Sequence, residues 1–233
     1  MALDDLKRAT THGVWRLSVA QFLIALVLLL LTAPFILDTP DGKLIEAALF
    51  TIVFLSAVLA IGGRRRTLFL AILLVTPVVA GTWLDHFQPS FSVKIWNLVA
   101  CVVFSGFVIV QLFRYMLQAP RVDSEVLCAG ISTYLMLALL WAFAYMLVAH
   151  MVPGAFVFTV NPEPDRPLLA FDALYFSFST LTTLGYGDIV PVDRVARQLA
   201  ILESTTGTLY VTVLIARLVS LYSAAEPPAR PQS

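Results

Sequence analysis

Phe171-Asp172-Ala173-Leu174-Tyr175-Phe176-Ser177-Phe178-Ser179-Thr180-Leu181-Thr182-Thr183-Leu184-Gly185-Tyr186-Gly187-Asp188-Ile189-Val190-Pro191 is the stretch whose reading decides the fold. Its first half is apolar and aromatic and opens beside Asp172, a residue type that caps helix starts through its side-chain oxygen. A short helix is predicted there. The second half cannot continue that helix. Gly185 and Gly187 flank Tyr186, and glycine adopts positive φ without steric cost. A backbone that changes hand at every second residue turns successive carbonyls to one side. Such a ladder of oxygens replaces the water shell of a small cation.

The surrounding composition is that of a membrane protein. Of 233 residues, 59% are hydrophobic and 13% charged, and the mean hydropathy is +0.87. These values exclude an ordinary soluble domain. About 20 apolar residues are needed to cross the ~30 Å hydrocarbon core. Six segments qualify: 14–36, 44–62, 67–84, 93–117, 126–151 and 195–222. The helix predicted in the opening stretch, about ten residues long, is too short to span and reads as re-entrant. Cys101 and Cys128 lie in the fourth and fifth apolar segments and read as small hydrophobes. No metal-ligand cluster is visible. The first apolar stretch is too long for a cleavable signal peptide and lacks a clear small-residue cleavage site, so it reads as the first spanning helix.

Charge gives the orientation. With the N-terminus cytoplasmic and six crossings, Lys7, Arg8, Arg16, Arg64, Arg65, Arg66, Arg114, Arg121, Arg217 and Arg230 lie inside, and only Lys43, Lys94, Arg166, Arg194 and Arg197 lie outside. The triple arginine in the second loop is the strongest single signal. Both termini are then cytoplasmic and residues 183–188 lie toward the outer side. Asp38, Asp41, Glu46, Asp85, Glu163, Asp165, Asp172, Asp188 and Asp193 leave the outer face net negative. That charge either enriches cations near the mouth or simply follows from the positive-inside bias.

Thr183-Leu184-Gly185-Tyr186-Gly187-Asp188 resembles the selectivity filter of potassium channels, whose usual form is Thr-Val-Gly-Tyr-Gly-Asp. The resemblance extends upstream through Thr180-Leu181-Thr182 and downstream to Pro191, Arg197 and Gly207. It covers the pore module and says little about residues 1–125. It implies an all-α membrane protein of six transmembrane helices, with a re-entrant pore helix and a filter loop between helices 5 and 6. Residues 1–118 would form a four-helix voltage-sensor-like bundle and 119–125 a cytoplasmic connection. Residues 126–222 would form the pore domain and 223–233 a short tail. The carbonyls of Thr183, Leu184, Gly185 and Tyr186, with the Thr183 hydroxyl, would bind K⁺, and Gly187 and Asp188 would complete the filter. A closed ring of carbonyls takes four loops and the chain has one, so a homotetramer in the plasma membrane is implied. K⁺ is then the permeant ion. No cofactor, catalysis or nucleic-acid partner is expected, and the tail is too short for a ligand-binding gating domain.

Departures from the family pattern concern the filter's support, expected from Tyr175, Phe176, Ser179 and Thr182. Leu184 replaces the common valine or isoleucine. Tyr175 stands where some members carry a tryptophan bonded to the filter aspartate, and its hydroxyl is expected to reach Asp188. Phe176 stands where a second tryptophan bonds the filter tyrosine, and a phenyl ring has no polar hydrogen for that. Ser179 stands where one bacterial channel pairs a glutamate with the aspartate. The filter is therefore expected to have fewer polar struts. Gly207 matches the inner-helix hinge, and Thr208, Val211 and Ile215 follow at helical spacing as the cavity wall.

Segment 93–117 bears on gating. Voltage-sensing members carry basic residues at every third position of the fourth helix, each charge worth about 2.3 kcal/mol per 100 mV. Here only Lys94 and Arg114 occur, at opposite ends. A sensor-like bundle without a working sensor, and weak or no voltage dependence, is expected. Glu203, an ionisable residue within a membrane helix, is expected behind the pore helix, bonded to Ser179 or Thr182. It serves either as a protonated structural tie or as a charge that tunes occupancy or a pH-dependent gate. His150 is either interfacial or a proton sensor. Residues 152–170 are proline-rich and read as a turret, in which Phe156, Phe158 and Val160 form a short strand or a plug. Two other functions stand open. One is a potassium-uptake transporter subunit, which would resemble four fused, degenerate filters. The other is a non-conducting regulatory subunit.

Overall fold

The computed structural model describes residues 2–36, 42–61, 65–88, 90–121, 123–160 and 166–225. Within them lie seven helices and a two-stranded ribbon. The order is α1 (Ala2–Ile36), α2 (Gly42–Ile61), α3 (Arg65–Phe87), α4 (Phe91–Gln118), α5 (Ser124–Met151), β1 (Phe156–Phe158), α6 (Ala170–Leu181), β2 (Ile189–Pro191) and α7 (Arg194–Ala225). Every helix except α6 contains a stretch long and apolar enough to cross a membrane. α6 has 12 residues, about 18 Å at 1.5 Å per residue. The chain is a multi-pass membrane protein, all-α apart from its ribbon.

Several boundaries differ from the sequence reading. α1 begins at Ala2, well upstream of the predicted 14–36, and ends at Ile36. α3 begins at Arg65 and ends at Phe87, extending the predicted 67–84 at both ends. The connection between α4 and α5 narrows to 119–123, because Asp123 caps α5 by accepting the Val126 N–H at 3.0 Å. The residues 156–158, left open between strand and plug, form a strand. Gly62, Gly63 and Arg64, together with Asp38, Asp41, Pro162, Glu163, Pro164, Asp165 and the tail beyond 225, lie outside the described residues.

α1 packs on α2 and α5, α3 lies against α2 and α4, and α4 lies along α5. The buried residues of α4, among them Leu98, Cys101, Phe104, Val108, Leu112 and Met116, recur at helical spacing and form one stripe. Phe104 meets Phe54 of α2 edge-on at 5.5 Å, and Phe143 of α5 packs against Phe54 at 6.2 Å and Phe50 at 5.6 Å. Lipid tails are as apolar as leucine, so helix association in a bilayer rests on close fit and interhelical hydrogen bonds. Trp83 Nε1 donates to Thr51 Oγ1 at 3.2 Å between α3 and α2. The Tyr115 hydroxyl donates to Glu125 Oε2 at 2.8 Å between α4 and α5. The Tyr210 hydroxyl donates to the Gly130 carbonyl at 2.6 Å between α7 and α5.

α7 packs on α5 and α6 and leaves most of its surface uncovered. Toward its C-terminus, Arg217 Nη2 donates to the carbonyls of Leu117 and Ala119, both at 2.9 Å. These belong to the end of α4, where carbonyls lack helical partners. Hydrogen bonds to charged groups contribute about 1.5–3 kcal/mol. Arg217→Gln is therefore expected to speed amide exchange in the last turn of α4 by about tenfold, read by hydrogen–deuterium exchange. Unchanged exchange there would remove this tie from the account.

Candidate functional site

α6 positions the 182–188 segment. Its N-cap is Leu169, without a side-chain cap. Asp172, expected as the cap, instead lies inside the first turn and pairs with Arg166, Nη2 to Oδ1 at 3.5 Å. Burial pushes the Asp172 carboxyl above the usual range, and the Arg166 guanidinium opposes that shift. The same guanidinium covers the Phe158 ring at 4.0 Å.

Beyond Leu181 the backbone leaves the helix but stays tied to it. The N–H of Thr182 donates to the Phe178 carbonyl at 3.0 Å, that of Thr183 to the Thr180 carbonyl at 3.0 Å, and that of Gly185 to the Ser179 carbonyl at 3.1 Å. The Tyr186 N–H points to Ser179 Oγ at 3.4 Å. φ is positive at Thr183 (61°), Gly185 (58°) and Gly187 (78°). The alternation of hand anticipated from the two glycines is present and begins earlier, at a threonine. Thr183 is the one non-glycine with positive φ among the described residues. A side chain in that region costs about 1–2 kcal/mol, and strain of this kind gathers at functional sites. Nothing in the identity of threonine announces it.

The supports differ in kind. The Tyr175 hydroxyl donates to Asp188 Oδ2 at 2.7 Å. Its ring lies parallel to that of Tyr186, with centroids 6.2 Å apart and 5° between planes. Hydrogen bonding to Asp188, before any other cause, pushes the Tyr175 phenol up to about 12. A raised phenol favours the neutral donor. Its contribution is thus complete below the ordinary tyrosine value of about 10 and is lost only as pH rises through about 12. Tyr175→Phe, Asp188→Asn and the double variant form a cycle whose coupling is expected near 1 kcal/mol, read from melting of the detergent-solubilised protein. Additive losses would deny the bond. Phe176 packs edge-on against Tyr145 at 4.8 Å and Phe156 at 5.5 Å. The Thr182 hydroxyl turns back to the Phe178 carbonyl at 2.6 Å.

Glu203 does lie behind α6, fully buried at 0% exposure, but its partners are not Ser179 or Thr182. Its Oε1 is 2.5 Å from Ser177 Oγ, and its Oε2 accepts the Tyr145 hydroxyl. Ser177 Oγ also lies 2.8 Å from the Ala138 carbonyl. Helical spacing explains the correction. Ala173, Ser177 and Leu181 recur four residues apart on the buried face of α6, whereas Ser179 is turned toward the loop and Thr182 is exposed. Further along α7, a Cβ added to Gly207 would stand 2.4 Å from the Leu181 carbonyl oxygen. α7 runs without interruption through that position, so the glycine has a packing reason independent of any hinge. Thr208, Val211 and Ile215 are exposed in the single chain, as are Leu184 at 61% and Tyr186 at 67%.

Comparison with known proteins bears on this arrangement. Residues 145–224, which hold α6, the loop and α7, match a family described as ion channel. Protein LctB of Bacillus caldotenax is 35% identical over 127 residues, 53% of this chain and 91% of that protein. A voltage-gated potassium channel of Aeropyrum pernix is 33% identical over 72 residues, 30% of this chain and 24% of the channel. Two-pore potassium channel 4 of Arabidopsis thaliana is 44% identical over 52 residues, 22% of this chain and 18% of the channel. The chain thus spans less than a quarter of the length of either of these two potassium channels. No solved structure matches it significantly. A membrane-spanning helical chain, a short helix leading into a loop of alternating hand, and these relatives agree: the chain belongs to the ion channel family that its residues 145–224 match.

Proposed function

We propose that four copies of this chain surround a common axis and conduct K⁺ passively, with the carbonyls of Thr183, Leu184, Gly185 and Tyr186 and the Thr183 hydroxyl replacing the ion's water. The observation that carries this reading is the alternation of positive φ at Thr183, Gly185 and Gly187, the backbone geometry that aims successive carbonyls one way. Exposure of Leu184 and Tyr186 in the single chain supports it, because further copies around the axis would cover them. α6 acts as the re-entrant pore helix, α5 and α7 as the outer and inner helices, and Thr208, Val211 and Ile215 line the cavity. Asp188, Tyr175 and Ser179 support the filter, and Glu203 ties the pore helix to its neighbours. Residues 1–118 form the accessory bundle. The channel sits in the cell membrane with both termini cytoplasmic, as the arginine distribution favours.

Voltage dependence is weak, because α4 carries no basic residue between Lys94 and Arg114. Purified protein in liposomes should pass K⁺ in strong preference to Na⁺, and cross-linking should stop at four subunits. Equal passage of Na⁺, or an assembly that is not fourfold, overturns the proposal. A steep conductance–voltage curve in symmetrical K⁺ overturns its gating part.

A further inference from the structure

The 187–192 segment has a second attachment that comes from outside the filter motif and its pore helix. β1 pairs antiparallel with β2 in the register Phe156 to Pro191, Val157 to Val190 and Phe158 to Ile189. The pairing continues past both ends of the strands. The Val192 N–H donates to the Ala155 carbonyl at 2.9 Å, and the Thr159 N–H donates to the Asp188 carbonyl at 2.8 Å. The Thr159 hydroxyl then reaches the Gly187 carbonyl at 2.8 Å, with the Asp188 carbonyl more distant at 3.3 Å.

This strand is fixed in register. Phe156 and Phe158 are both buried and pack in one cluster with Tyr145, Phe176 and Ile189, while Val157 between them is exposed. A slip of one residue would turn both rings outward. Tyr145 meets Phe156 edge-on at 5.6 Å. The phenyl ring of Phe176, which cannot brace Tyr186, therefore helps seat the strand that braces the next residues.

We propose that Thr159 is a positioning residue that holds the Gly187 carbonyl at the outer mouth, so that the ion-facing ladder ends at Tyr186. The inference rests on residues 183–188 being the filter. The Gly187 peptide is otherwise free to rotate, since a glycine tolerates both signs of φ. Its hydroxyl donor comes from a strand whose place is set by buried aromatic packing. The clasp thereby extends to Gly187 the restraint that Ser179 gives Gly185 and Tyr186. Bound K⁺ would restrain the neighbouring Tyr186 carbonyl and, through it, the Gly187 peptide, so loss of the clasp matters most when K⁺ is scarce.

Thr159→Val keeps the shape and the backbone N–H bond to Asp188 but removes the hydroxyl. In liposomes at high external K⁺ its flux is expected to match the unaltered protein. At low external K⁺ it is expected to fall about fivefold, the factor one hydrogen bond supports, and Thr159→Ser is expected to restore it. Flux equal to the unaltered protein at both concentrations overturns the proposal. So does an equal loss at both that serine leaves in place, which marks a fold effect only. Hydrogen–deuterium exchange at the Asp188 amide separates this idea from the filter reading. If the unaltered protein passes no K⁺, the filter reading fails on its own. Faster exchange at Asp188 in Thr159→Val than in Thr159→Ser still supports the clasp, and equal exchange overturns it.

Discussion

Gly207→Ala is expected to abolish K⁺ flux and to lower stability by about 1–3 kcal/mol, the usual cost of forcing atoms into a filled space. The added Cβ would lie 2.4 Å from the Leu181 carbonyl oxygen and 2.8 Å from Leu181 Cδ1. The first is a backbone atom at the end of α6 and cannot rotate away. α6 and α7 would have to separate, and Thr182 and Thr183, which follow Leu181 directly, would move with the helix end. A glycine kept only for bending predicts the opposite sign, because alanine favours a helix interior by about 1 kcal/mol over glycine. Melting of the solubilised protein decides. A variant more stable than the parent, with flux altered only in its gating, would overturn the packing account. Gly207→Val should be less stable still.

Glu203→Ala and Glu203→Gln are expected to diverge sharply. The alanine variant leaves the Tyr145 hydroxyl buried without its acceptor, a loss of about 1–3 kcal/mol, and opens a cavity at a site with 0% exposure. The total is about 3 kcal/mol or more, and flux should disappear. Proton counting sets the expectation for glutamine. Ser177 has one hydroxyl proton but faces two oxygens, the Ala138 carbonyl at 2.8 Å and Glu203 Oε1 at 2.5 Å. If the serine proton goes to Ala138, the other contact needs a proton from Glu203. The set therefore closes when the acid is neutral, and a glutamine amide supplies the same donor and acceptor. Glu203→Gln should keep its assembly and hold flux within about twofold, less than one net hydrogen bond would cost. Loss as severe as alanine's would show that the carboxylate's charge, and not its bonds, is what the site uses.

The pore region was legible because its constraints sit in residue identity. Alternating glycines can be read as alternating hand, and a lone acid in an apolar helix announces a buried partner. What escaped was geometry without a residue signature. Thr183 takes positive φ as any threonine elsewhere would not. The partner of Glu203 depended on which face of α6 turns inward, and two serines two positions apart, Ser177 and Ser179, cannot be ranked without that face. β1 has only three residues, too few for an alternation to separate a strand from a plug. Its partner β2 lies beyond α6, so the pairing is non-local. The bond from Tyr175 to Asp188 could be anticipated from the sequence and is present, whereas the ribbon and the aromatic cluster that add to it could not.

The rings of Phe54, Phe104 and Phe143 belong to one buried cluster that reaches from α1 to Leu174 of α6. An engineer who severed the chain at the α4–α5 connection would not obtain a free-standing C-terminal half. The cut would strip a greasy flank of α5, with Met136, Leu139 and Phe143, and hand it to lipid. Any push on the first four helices, by bilayer thinning or lateral tension, is thereby delivered through solid packing to α5 and α6.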